Sequence, residues 1–499
     1  MRHLVSMGRV IRRVALVVLA VAIAGGAAAL AERQMTHDAT GSWPSANGDL
    51  SSTRANGRAT FDAGAVRVLW RFRLPRRANP FGAITSNPVI ARGIVYVQDS
   101  SSTVFALDAK TGARRWTHRF AAQNDGPNGV AVSGARLYAA TDTTAVGLDA
   151  VTGKTLWSRR LANRFEQFVG IAPVADRGRV YYSTQGFPHG GRGAVYALDA
   201  RTGKLVWRFG TIAEPWAQPG AGGGGAWYPV SVDERGDIYV GNSNPGPWGG
   251  SKRYPNGGVF AGRALYTDSL IVLSGRTGKL LWYDQVTRHD VRDYDFQNSP
   301  VLAEIDGRRL VFGSGKAGRV VAWDRATHER VWSRAVGSHL HDLGPLPDEP
   351  TAVCPGLLGG ALTPMAFAHD LLFVPVVELC SRESAVTTPD AFGRPPAEGS
   401  GLVYALDAKT GKTVWRRAFE APPFGCATVA GAAVVLPSYD GRVSALDTQS
   451  GRVLWRSRLP AGNNSCPAVG AGMLVVGAGA RYPGIAHPVA EVVAYAIGG

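Results

Sequence analysis

The chain has 499 residues, 45% hydrophobic and 18% charged, with 63 glycines, 30 prolines and a formal charge of +16. That length suits one large repetitive domain or two or three ordinary ones, and the apolar content excludes a disordered chain. The positive charge would suit an anionic partner, but after the first fifteen residues the arginines are scattered rather than clustered, which argues against nucleic-acid binding.

At the N-terminus, Arg9, Arg12 and Arg13 precede "VALVVLAVAIAGGAAALA" (14–31), which ends in the small-x-small triplet Ala29-Leu30-Ala31. Residues 1–31 read as an export signal or, left uncleaved, as a membrane anchor, because the apolar run of about seventeen residues is at the lower edge of bilayer length. Both readings place the rest of the chain outside the cytoplasm, periplasmic or extracellular, with this segment its only contact with a membrane. Residues 32–65 read as an N-terminal lead-in segment.

From residue 66 onward one template recurs. "ALDAKTGARRW" (106–116), "GLDAVTGKTLW" (147–157), "ALDARTGKLVW" (197–207), "VLSGRTGKLLW" (272–282), "AWDRATHERVW" (322–332), "ALDAKTGKTVW" (405–415) and "ALDTQSGRVLW" (445–455) share it. An apolar strand ends at the Asp, whose carboxylate can cap a turn. A Gly supplies the positive φ of a short hairpin, and a second strand carries the Trp. Another apolar strand precedes each template, as in "GIVYVQD" (93–99), so each unit is an antiparallel sheet of about four strands. Such sheets bury both faces only by stacking radially, with a Trp at each interface. "VRVLWRFRLP" (66–75) has a closing strand without an opening one, and "EVVAYAI" (491–497) has the reverse. The expected fold is therefore all-β: an eight-bladed β-propeller over residues 66–499, its last blade completed by pairing of both chain ends.

Cys354, Cys380, Cys426 and Cys466 form an even set in an oxidising compartment, which predicts two disulfides. Three pairings exist. The repeats favour Cys354–Cys380, both in the insertion between Trp332 and Trp415, and Cys426–Cys466, which occupy equivalent positions in successive blades. No CxxC or CxxCH occurs, so neither a zinc knuckle nor covalent haem is expected. "HDVRDYD" (289–295) concentrates three acids in a chain otherwise sparse in them; from the residues alone it is either a solvated loop with Asp290 as a turn cap or a cation-holding loop. "HLHD" (339–342) carries only a weak metal signal, and "GAGGGG" (220–225) reads as a tight loop at the propeller mouth because no Lys-Ser/Thr follows it.

The template resembles the tryptophan-docking motif of the pyrroloquinoline-quinone (PQQ) alcohol dehydrogenases, a motif shared with non-catalytic propellers such as the bacterial outer-membrane assembly factor. Segments 42–57, 223–248, 287–302, 313–325 and 354–367 are similar to the dehydrogenases' N-terminal and site segments. The resemblance implies PQQ and a Ca2+ or lanthanide ion as cofactors. It implies that Trp227 stacks on the quinone, Lys316 bonds the quinone oxygens, Asp293 is the catalytic base, and Asn244, Asp293 and Asp295 hold the metal. Asp295 stands where lanthanide-using members carry a second Asp. The chemistry of these residue types agrees, since hard cations take Asp and Asn oxygens and a carboxylate can accept an alcohol proton. The pattern departs at Pro188 (a glutamate ligand in the family), Asn128 (a quinone-binding arginine) and Ala361-Leu362 (an Asn-Trp pair), and the vicinal disulfide is absent. The implied activity is oxidation of an alcohol or aldehyde, with electrons leaving to a separate acceptor such as a cytochrome. The alternative is a propeller without catalysis that binds a protein or cell-envelope ligand.

Overall fold

The computed structural model describes residues 41–498 apart from 76–81, 121, 125, 187–189, 214–220, 259–261 and 387–393. The signal or anchor at 1–31 and Pro188 lie outside the described residues. Eight antiparallel sheets follow one another along the chain as blades one to eight: residues 89–118, 131–160, 168–210, 231–285, 301–335, 366–419, 428–458, and 468–496 joined by 67–73. In each blade the innermost strand is short and largely buried, and the outermost strand alternates exposed residues with the docking Trp. No helix among the described residues is long and apolar enough to cross a membrane.

The ring closes as the two unpaired strands imply. Arg67–Arg73 pairs antiparallel with Glu491–Ala496, with Trp70 opposite Ala494. This removes two free sheet edges. Blade eight then abuts blade one, and Trp70 donates its indole N–H to Ala109 O of blade one at 2.9 Å.

The template's chemistry is visible in every turn that carries it. Asp108 Oδ1 accepts from the backbone N–H groups of Lys110 and Thr111 and from the Thr111 hydroxyl, and Asp149, Asp199 and Asp407 cap their turns through the Thr three residues on. The Gly has a second duty beyond its positive φ. The Trp of the preceding blade lies flat on it, so that a Cβ at Gly112, Gly153, Gly203, Gly278, Gly411 or Gly451 would meet the ring at 2.5–2.7 Å. Each of those six tryptophans also donates its indole N–H to a carbonyl of the same turn, at 2.9–3.2 Å. Two interfaces differ. Trp282 stacks on His328, which replaces the Gly at φ +64°, with ring centroids 4.7 Å apart. Trp455 has no turn to cover and packs edge-on against Tyr495 and Phe61.

Residues 41–56 are part of the propeller rather than a lead-in to it. They run past the innermost strands, and their backbone pairs with Ile90, Val132, Val232, Leu302, Phe367, Val429 and Ala471, in seven of the eight blades. Arg54, fully buried, ties this segment down by donating to Ala46 O, Asn47 Oδ1, Ala427 O, Thr428 Oγ1 and Pro467 O. Both expected disulfides form: Cys354–Cys380 pins the insertion of blade six, and Cys426–Cys466 joins blades seven and eight just before their innermost strands.

Candidate functional site

Alternation of strand direction puts the Asp-Thr-Gly turns on one face of the ring. The loops leading into innermost strands, and those joining second to third strands, lie on the other. The site segments all belong to this second face: 221–230, 242–245, 286–300 and 315–318.

The loop at 289–295 is shaped by Asp290. Its carboxylate accepts from the backbone N–H of Arg292 (2.9 Å) and of Tyr294 (2.6 Å), the turn cap that its position suggested, and Asp293 sits at φ +64°. From there side chains alternate. Arg292 and Tyr294 point to the insertion, donating to His341 O and Pro355 O, while Asp293 and Asp295 point to Asn244 and Lys316. The Lys316 ammonium lies between the two carboxylates, 2.5 Å from Asp293 Oδ2 and 2.6 Å from Asp295 Oδ2. Asn244 completes the group: its side-chain amide donates to Asp293 Oδ1 at 2.6 Å and its backbone N–H to Asp295 Oδ1 at 2.9 Å. Two close backbone approaches require glycine here. A Cβ at Gly315 would lie 2.0 Å from Asp295 O, and one at Gly360 would lie 2.0 Å from Lys316 O. The three residues read from the sequence as metal ligands and base thus meet Lys316 in one place.

The electrostatics are unbalanced. The side chain of Asp295 is 1% exposed, that of Lys316 9% and that of Asp293 14%. Burial pushes Asp293 well above the ordinary carboxylate range, Lys316 pulls it down and Asp295 pushes it further up. Burial disfavours the Lys316 charge, but the two carboxylates more than offset this and raise its pKa. Burial also lifts Asp290 to about 6 despite its two backbone hydrogen bonds. Asp268, which sequence reasoning missed, is fully buried nearby and is raised well above its usual range by burial and by Asp290, Asp295 and Asp293. Glu383 is likewise buried and pushed up to about 7. Five buried acids therefore face Lys316 and Arg292 as the local cations. Such an excess calls for protons or a bound cation.

Trp227 follows the glycine loop, which is tied to the metal-ligand segment by Gly225 N–H to Asn242 Oδ1 (2.7 Å) and Gly224 N–H to Asn244 O (2.9 Å). The indole is partly exposed and meets Phe168 at a tilt, 5.5 Å between centroids. Asn128 donates to Val169 O beside that pair. Its Oδ1 and the Gln185 Nε2 have no hydrogen-bond partner among the described residues. Trp227 offers a partly exposed aromatic face, and one acceptor and one donor are left unpartnered in the buried layer around the Phe168–Val169 strand, a chemistry that suits a planar polar ligand. The donors Asn244, Asp293 and Asp295 fit a hard cation in type, as a centre of two carboxylates and an amide; among the described residues no three His, Cys, Asp or Glu side chains converge as a ready ligand set. The departures are also physical. Ala361 is buried with its carbonyl taken by Asn298, and Leu362 packs with Val377, Leu379, Phe424 and Tyr439, so apolar contacts fill that side. His339 and His341 bond Asp342 and Ala352 O within their own insertion.

Known proteins resemble the chain in the same terms. The sequence model of the family described as "Glucose/ethanol/alcohol dehydrogenase, beta-propeller domain" matches residues 183–335, and that of "Outer membrane protein assembly factor BamB" matches 17–126 and 399–486. A quinohemoprotein alcohol dehydrogenase (ADH IIB) of Pseudomonas putida is 28% identical over 341 residues, 60% of this chain and 48% of its own length. The chain thus spans about half the length of the first curated relatives it matches. Among solved structures, a quinohemoprotein alcohol dehydrogenase from Comamonas testosteroni superposes with a TM-score of 0.79 at 23% identity, covering 95% of this chain and 84% of that one. A europium-containing methanol dehydrogenase gives 0.74 at 20%, covering 91% and 98%. The fold is that of an eight-bladed β-propeller, and in sequence and fold the chain is similar to the quinoprotein alcohol dehydrogenases.

Proposed function

We propose that this chain is a PQQ-dependent dehydrogenase acting outside the cytoplasm, which oxidises an alcohol or aldehyde and passes electrons to a separate acceptor such as a cytochrome. The observation that carries this reading is the buried group of Asp293, Asp295, Lys316 and Asn244, with more negative charge than its own cations neutralise. Asn244, Asp293 and Asp295 would hold Ca2+ or a lanthanide, and Trp227 would offer the stacking face for PQQ. When bound, PQQ would supply a hydride-accepting quinone and the cation would supply Lewis acidity. Asp293, the more exposed of the two clamped carboxylates, would accept the substrate hydroxyl proton, with Asn244 holding its orientation. Lys316 supplies a fixed positive charge where negative charge develops during hydride transfer. Residues 1–31 would direct export or anchor the protein.

The test is reconstitution of metal-free protein with PQQ and Ca2+ or La3+, followed by dye-linked oxidation of alcohols and aldehydes. Retained quinone absorbance and turnover are expected, with Asp293→Asn slower by roughly 100-fold or more because the proton acceptor is lost. Failure to retain PQQ with either metal would favour the non-catalytic scaffold reading instead.

A further inference from the structure

Asp268 has no part in the proposed reaction, and its surroundings give its carboxylate none in stability. It immediately precedes the strand Ser269–Leu273 of blade four and is 0% exposed. Its backbone stitches together the two segments that present the candidate ligands. The N–H donates to Ser243 O, next to Asn244, at 3.1 Å, and the C=O accepts from Val286 N–H, at the start of the aspartate loop, at 2.8 Å. The one donor close to the carboxylate is the Thr267 hydroxyl, which opposes the rise in its pKa; neither oxygen has a well-formed hydrogen bond among the described residues. The adjacent hydroxyls are committed elsewhere, Thr267 to Ala264 O (2.6 Å) and Ser269 to Thr267 O (2.9 Å). The strongest charges it feels are those of Asp290, Asp295 and Asp293, all of its own sign. A buried carboxylate with no well-formed hydrogen bond, beside three other acids, is costly unless positive charge is brought to it.

We propose that Asp268 is a positioning residue of the cation centre, which from behind Asn244, Asp293 and Asp295 adds negative charge that favours a trivalent ion over Ca2+. This rests on the cation reading of the site. It acts through the field and not as a direct ligand, consistent with the two-carboxylate-plus-amide centre. Because Coulomb attraction scales with ionic charge, removing one buried negative charge weakens a trivalent ion more than a divalent one.

The experiment titrates the chelator-treated full chain with Tb3+, followed by sensitised luminescence, and with Ca2+ by calorimetry, in wild type, Asp268→Asn and Asp268→Ser. The expected result is a loss of roughly tenfold or more in Tb3+ affinity with a smaller loss for Ca2+. Melting temperatures of the metal-free variants should equal or exceed that of wild type, since a buried acid at a site that disfavours its charge is replaced by a neutral group. A smaller Tb3+ loss, an equal loss for both ions, or lost affinity accompanied by lowered melting in both variants overturns the proposal while leaving the cation centre standing. Absence of Tb3+ and Ca2+ binding in wild type overturns both.

Discussion

The two faces of the ring are built on opposite terms. On the turn face the template's polar groups are answered within the repeat or by the next blade: the Asp by two backbone N–H groups and a hydroxyl, the indole N–H by the next blade's carbonyl, the ring by a glycine. On the loop face the acids outnumber the cations, Asp268 has no well-formed hydrogen bond among the described residues, and Lys316 must serve two carboxylates. The periodic face holds the blades together, while the aperiodic one stores unbalanced charge on a rigid frame, the arrangement expected where a ligand supplies the missing partner.

Removing Trp207 should have the largest effect on stability. It is 8% exposed, docks on Gly278 and donates to Gly275 O, so Trp207→Ala should destabilise by about 3–5 kcal/mol in chemical denaturation. A loss below about 1 kcal/mol would sink the docking role, since interior aromatics rarely cost so little.

The loop face should behave in the opposite sense. Burial raises Glu383 from an ordinary 4.5 to about 7, with its Ser381 hydrogen bond opposing. A folded-state pKa above the unfolded one means stability is fully present below pH 4.5 and is lost as pH rises through 7. Glu383→Gln should therefore flatten that slope and stabilise the protein above pH 7 by at most about 3 kcal/mol. Urea unfolding at several pH values measures it, and parallel curves for wild type and variant would refute it.

The smallest effect tests the exception on the turn face. His328 trades a stack on Trp282 against the strain of a side chain at positive φ. Restoring the repeat's glycine with His328→Gly should change stability by less than about 1 kcal/mol, because lost stacking and relieved strain nearly cancel.

This division also explains what the sequence makes legible. The template reports local bonds, so blade number, ring closure, Trp docking and both disulfides can be read from it. Asp290 is legible for the same reason, as its partners are Arg292 and Tyr294. Residues 41–56 read as a separate lead-in because their partners lie one per blade, up to hundreds of residues away, and leave no periodicity. The meeting of Asp293, Asp295, Lys316 and Asn244 follows from family resemblance, whereas the clamp of one lysine on two carboxylates does not. Asp268 is invisible in "YTDSLIVL", where an acid before an apolar strand looks like an ordinary turn residue. His328 stands where the template has glycine, and nothing local shows that it takes over the stacking.

The central claim is that the loop face holds a hard cation beside PQQ. Calorimetric titration of metal-free protein with La3+ and with Ca2+, with and without PQQ, tests it most directly in wild type, Asp293→Ala and Asp295→Ala. The account predicts saturable La3+ binding tighter than Ca2+, abolished in Asp293→Ala and weakened in Asp295→Ala. Wild-type protein that binds neither ion, with or without PQQ, would contradict it.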